Sequence, residues 1–266
     1  MPERYTLGHH ESVLRSHRWR TAANSAAYLI PHLRPGMSVL DVGSGPGTIT
    51  VDIARHVYPG KVIGIDASED VVAEGTRLAN AQGVDNVEFR VADAYEPGFA
   101  DGSFDVVHAH QVLQHLGRPV EALAAWRGLV SPDGVVAARD CDYAGAIVAP
   151  TRPGLELWSI TYQQLARENH GTPDAGRHLK AWARQAGFAS VEAGASVWCF
   201  EDDTDRHWWG GLWADRTRES EFATGVVDRG LGDTATLAAI REGWLAWRDD
   251  PDGWMILPHG EIIARG

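Results

Sequence analysis

The sequence predicts a single α/β domain over residues 1–266, built on a doubly wound, mostly parallel sheet of seven strands. A helical cap precedes the sheet and a helical insertion precedes its last strand. Two observations carry this reading. Short β-branched runs alternate with helical stretches through the first two-thirds of the chain, which is the pattern of βαβ units. A glycine turn, Gly43-Ser44-Gly45-Pro46-Gly47, then joins the first of those runs to the first helix, where an open parallel sheet places its ligands. Composition agrees: 44% hydrophobic residues supply a core, and 23% charged residues is ordinary globular usage.

Residues 1–34 read as the cap, with Thr6–Leu33 helical and a loose apolar stripe of Leu7, Val13, Leu14 and Trp19. The core sheet and its helices occupy 35–200. Ser38–Val42 is the first strand and Thr48–Val57 the helix after the turn. Lys61–Ile65 is the second strand, followed by a helix from Ser68 to Gln82 that Gly83 ends. Val87–Val91, Phe104–Ala109 and Gly134–Arg139 are the next three strands. The helix Pro119–Leu129 stops at Ser131-Pro132-Asp133-Gly134, where proline cannot continue it. Ser190–Phe200 and the segment 253–266 finish the sheet antiparallel, and the helical stretch Asp205–Trp247 within 201–252 lies between them as a lid. Residues 151–266 hold nine of the eleven tryptophans, which either fill a core or face a ligand.

Charge and cysteine usage narrow the function. The chain has 24 Lys and Arg against 36 Asp and Glu, a formal charge of −12, which argues against a nucleic-acid partner. No apolar run approaches the ~20 residues that span a bilayer, and Met1-Pro2-Glu3-Arg4-Tyr5 has no signal pattern, so a cytoplasmic protein without a membrane partner is expected. Cys141 and Cys199 lack metal-ligand spacing, and no metal is expected.

The glycine turn identifies the ligand. Its backbone amides face the C-terminal edge of the sheet. Asp41, two residues before Gly43, would repel a pyrophosphate but attract an ammonium group. S-adenosylmethionine, with an amino group and a sulfonium, meets that requirement. Asp66 ends the second strand, where a carboxylate accepts from ribose hydroxyls, and Asp93 follows the third, placed to accept from the adenine amine.

With these features the chain resembles the class I S-adenosylmethionine-dependent methyltransferases, in the subgroup of ubiquinone/menaquinone-biosynthesis enzymes. The matching segments are Val39–Gly47, Val62–Asp66, Val91–Ala94, Phe104–Val107, Gln111–Leu116 and Leu129–Gly134. The resemblance implies a Rossmann-like methyltransferase fold and a cofactor site of Asp41, Gly43, Ser44, Gly45, Asp66, Ala67, Asp93 and Ala94. It also implies that His110 and Gln111 lie under the methionine end. Arg18-Trp19-Arg20-Thr21-Ala22 resembles the pre-sheet helix of glycine N-methyltransferases, which implies that Arg20 grips the cofactor carboxylate.

Methyl transfer needs an aligned nucleophile and, for some acceptors, a base. His110, His115 and His10 are the candidate proton acceptors, with Tyr5 a positioning hydroxyl; Tyr5, His9 and His10 precede a helix that would gate the cofactor. Strand alternation puts His108 and His110 on one face. Trp158, Trp208, Trp209 and Trp213 suit an aromatic or apolar small-molecule acceptor, or an amine. Asp140 and Asp142 would serve a metal-dependent variant, but His110 stands in place of its first acid. Whether O, N or C is methylated stays open, as do a homodimer, a peptide or protein acceptor, a non-catalytic cofactor-binding role, and an NAD(P)-dependent oxidoreductase.

Overall fold

The computed structural model describes residues 19–218 and 220–266. A short helix α1 (Ala22–Ser25) is capped by Thr21, whose hydroxyl accepts the Asn24 N–H. There follow β1 (Val39–Val42), α2 (Thr48–Val57), β2 (Val62–Asp66), α3 (Glu69–Ala81), β3 (Val87–Val91), β4 (Phe104–His110), α4 (Pro119–Leu129) and β5 (Val130–Cys141). β6 (Ile147–Ala149), α5 (Pro153–Glu168), α6 (Leu179–Gln185) and β7 (Ser190–Phe200) come next. The chain closes with α7 (Asp203–Arg216), α8 (Glu221–Asp228), α9 (Thr234–Arg248) and β8 (Trp254–Arg265).

The first four strands fall within a residue of their expected bounds. β5 departs from them. Its register jumps from Phe104 paired with Val130 to Val106 paired with Val135, so the expected turn Ser131–Gly134 is absorbed as a bulge inside the strand. The described part of the cap is also less helical than expected. Beyond α1 it holds only a 3-10 turn at Ile30–His32, with Pro31 in its first turn.

β3, β2, β1, β4 and β5 lie side by side and parallel, and β8 runs antiparallel to β5. β7 pairs with β8 along its whole length, while β6 pairs with the first residues of β8 and so continues the edge that β5 leaves. The sheet therefore has eight strands among the described residues, the short β6 being one more than the sequence predicts. Strand order reverses between β1 and β4, and an open α/β sheet binds its ligand above that point.

Alternation along the strands makes one face of the sheet change character from bottom to top. At the bottom, Val39, Val106, Val135, Ala137 and Ile263 are buried with Ile49, Ile53 and Val57 of α2. Two and four residues further along the same strands stand Asp41, His108, His110, Arg139 and Cys141, joined by His259 and Glu261 of β8. All are buried. The apolar rows anchor the helix layer; the polar rows form the floor of the site.

The tryptophans build a second core. Trp158 of α5 packs edge-on against Trp213 of α7 and Trp244 of α9, with centroids 4.9 and 4.8 Å apart, and Trp209 stacks on Phe200 at 4.4 Å. Trp158, Trp209 and Trp213 are buried in this cluster and so are not acceptor-facing; Trp208 is half-buried against Trp19. The helical stretch between β7 and β8 is three helices, and the inward tryptophans of α7 and α9 fill the space over the far end of the sheet. Among the described residues no helix is long and apolar enough to cross a membrane.

Candidate active site

A cavity of about 370 Å³ opens where β1 and β4 end. Its near wall is the glycine turn. Gly43, Gly45 and Gly47 all have positive φ, and a Cβ on Gly43 would stand 2.4 Å from Val112, so the backbone can approach a ligand only with glycine there. Ser44, Ala67 and Ala94 line the cavity with Gly43 and Gly45. Asp66 lies across the turn: its Oδ2 accepts the Gly45 N–H at 3.1 Å and its Oδ1 the Ser68 N–H at 3.1 Å. Each oxygen keeps acceptor capacity for a hydroxyl.

Asp41 also lines the cavity, and it is more engaged than the sequence indicates. Thr50 donates to its Oδ2 at 2.5 Å, and His108 Nδ1 lies 2.7 Å from its Oδ1. Asp93 is the exception among the predicted cofactor residues. It is exposed and off the cavity wall, its carboxylate accepting the Tyr95 N–H at 2.7 Å, because the short side chain closes a turn onto its own backbone.

The opposite wall carries Arg20, His110, Gln111 and His115. Gln111 holds the left-handed φ of 55°, a conformation that costs a non-glycine residue and concentrates at functional sites. Its backbone N–H donates to Arg139 O at 2.7 Å. Its side chain accepts from Arg20 Nη2 at 2.8 Å and turns its amino group to Cys141 Sγ and His259 Nε2, 2.8 and 2.9 Å away. Around these groups stands Trp198, with the guanidinium carbons of Arg139 and Arg20 5.1 and 5.6 Å from its ring centre. The His110 and His259 rings lie 5.7 and 4.5 Å from it.

Both ring nitrogens of His110 are buried and have no hydrogen-bond partner among the described residues. Burial, and then the charges of Arg20 and Arg139, push its pKa well below the usual histidine value, so the ring is neutral. His115 is only half-buried, and its Nε2 lies 3.2 Å from Gln114 Nε2; packing and Arg20 lower its pKa to about 3. Asp140 braces this wall from below, its Oδ1 accepting the Gln114 N–H at 3.1 Å. Asp142 instead faces Arg177 at 2.6 Å, so the two acids considered for a metal serve separate structural contacts. Tyr5, His9 and His10 lie outside the described residues.

The sequence reading does not single out Thr50, Trp198, Arg139, Cys141, His259 or Glu261. Strand alternation could place Arg139 with Cys141, and His259 with Glu261, on common faces. The β5–β8 register that brings the two pairs together has no local signal.

An open α/β sheet with its switch point at a glycine turn flanked by Asp41 and Asp66 is the framework of a nucleoside-binding site. The methyltransferase-domain family model matches residues 33–206, and the chain belongs to that family, the class I S-adenosylmethionine-dependent methyltransferases. An uncharacterized methyltransferase of Schizosaccharomyces pombe is 32% identical, over 98% of this chain and 96% of its own. A demethylmenaquinone methyltransferase of Clavibacter sepedonicus is 29% identical over 68% of this chain and 76% of its own. Among solved structures, the phosphoethanolamine N-methyltransferase 2 of Haemonchus contortus in complex with S-adenosylmethionine superposes with a TM-score of 0.54 at 16% identity, covering 87% of this chain and 49% of that one.

The residues present fit the cofactor. The turn, where Gly43 has no room for a Cβ, admits the nucleoside, Asp66 offers acceptors to the ribose, and Arg20 stands at the far end for a carboxylate. When bound, S-adenosylmethionine supplies a methyl group on a positively charged sulfur.

Proposed function

We propose that this methyltransferase acts on a small molecule that enters beside His110, and that His110 accepts the acceptor's proton where one is lost. The observation that carries this reading is the state of His110: neutral, on the cavity wall, and with two nitrogens unpartnered among the described residues. A neutral imidazole can accept a proton, whereas the Nε2 of His115 is turned to an amide. The two arginines that depress the basicity of His110 also indicate how it rises. An anion on Arg20 offsets one of those charges, whereas burial, the larger cause, stays in place.

The relative named for demethylmenaquinone supports a metabolite rather than a polymer. The buried tryptophans give no support to an aromatic acceptor in particular. The test is transfer of label from methyl-labelled S-adenosylmethionine into a host extract, followed by separation of small molecules from protein. Label in the small-molecule fraction is expected. His110→Ala should lower its appearance about a hundredfold or more, the lower range of a lost general base, and should change cofactor affinity far less. Label confined to protein would overturn the acceptor class, and undiminished transfer by His110→Ala would remove the base.

A further inference from the structure

Gln111 stands between two groups of fixed polarity. On one side Arg20 can only donate, so the amide must present its oxygen there. On the other side lies His259, whose Nδ1 is 3.0 Å from the Leu257 carbonyl oxygen. Only a protonated nitrogen can bond a carbonyl, so Nδ1 carries the proton and Nε2 is an acceptor. The Gln111 amino group and the Cys141 thiol both converge on that acceptor, at 2.9 and 3.1 Å. Cys141 remains a thiol because burial pushes its pKa well above the usual cysteine value.

We infer that His259 and Cys141 are positioning residues for the cofactor's amino-acid end: they lock the amide of Gln111, and the locked amide aims Arg20. His259 is 148 residues from Gln111 and sits on the antiparallel strand β8, yet it decides which end of the amide meets the arginine. Free rotation of that amide would turn its amino group toward a guanidinium, where two donors oppose each other. The left-handed backbone at Gln111 fits the same purpose, since it carries the side chain off the end of β4 into this gap. Burial and the charge of Arg139 hold His259 well below the usual histidine pKa, which keeps Nε2 an acceptor.

The inference rests on the reading of the cavity as a cofactor site with Arg20 at the carboxylate. Two ligands separate the ends of that site. S-adenosylhomocysteine has the amino-acid arm; 5′-methylthioadenosine has the same nucleoside and thioether without it. In calorimetric titrations of the full chain, His259→Phe should weaken S-adenosylhomocysteine about tenfold, the scale of a lost orienting partner, and leave methylthioadenosine within about twofold. His259→Gln, whose side-chain oxygen can accept from Gln111, should restore most of the loss. Gln111→Leu should reproduce the selective loss without a change on β8, and the double variant should be no worse than Gln111→Leu alone. Equal weakening of both ligands by both single variants would mean general packing damage and overturn the inference, as would unchanged binding of both. A wild-type chain that binds neither ligand would instead overturn the cofactor reading itself.

Discussion

The two carboxylate oxygens of Asp66 are fixed by backbone N–H groups from Gly45 and Ser68, so this side chain is already oriented before a ribose arrives. Asp66→Ala removes acceptors from that position and should weaken S-adenosylmethionine by about 1–3 kcal/mol, the cost of leaving partner groups unpaired. Equilibrium binding checks it, and an unchanged affinity would remove the ribose assignment. Gly43→Ala should be at least as damaging, since its Cβ meets Val112 and its φ of 65° disfavours any side chain. This half of the site is legible in the sequence because it is local: Asp41, the turn and Asp66 sit at strand ends whose order follows from hydrophobic pattern alone. The other half is not. Trp198, His259 and Glu261 reach Arg139 and Gln111 only through the β5–β8–β7 register, which long-range pairing sets. Asp93 closes its own turn, a role to which a strand-end acid is equally suited.

The elements of the second half pack at distances that helical periodicity does not encode. α5 and α9 cross where Gly154 faces Gly243, and a Cβ on Gly243 would lie 2.9 Å from the Gly154 backbone. Backbone cannot yield as a flexible side chain does. Gly243→Ala gains up to about 1 kcal/mol in helix propensity, but overpacking costs about 1–3 kcal/mol, so net destabilisation is expected. Gly211 of α7 provides the contrast, having nothing within 4 Å of a built Cβ. Gly211→Ala should therefore stabilise by up to about 1 kcal/mol. Urea midpoints of the two variants should move in opposite directions, and a shared direction would contradict the packing at the α5–α9 crossing. The same geometry explains why the tryptophans were ambiguous in sequence. A tryptophan on a helix face marks a large volume to be filled, and only the neighbouring helix decides whether side chains or a ligand fill it.

At the scale of the whole molecule, the buried titratable groups of the site set how stability responds to acid. Burial pushes the Asp140 carboxyl up to about 7. The unfolded chain loses that proton above about pH 4, so the native state is favoured in acid, and this contribution is lost as pH rises through 7. His110, His259 and His115 act in the other direction. Burial first, and arginine charges second, keep them neutral in the fold, His115 down to about 3. Unfolded imidazoles take up protons below about pH 6.5, so the stability these three contribute is present above that pH and is lost on acidification. Below about pH 6.5 three groups oppose one, so stability should fall on balance with acidification. Urea midpoints measured from pH 7 to 5 check the slope. Asp140→Asn removes the one opposing group and should make the fall steeper by about one proton. A slope unchanged by Asp140→Asn would show that the native carboxyl holds no proton in this range, and that the loop from Gln111 to His115 rests on an ionised floor.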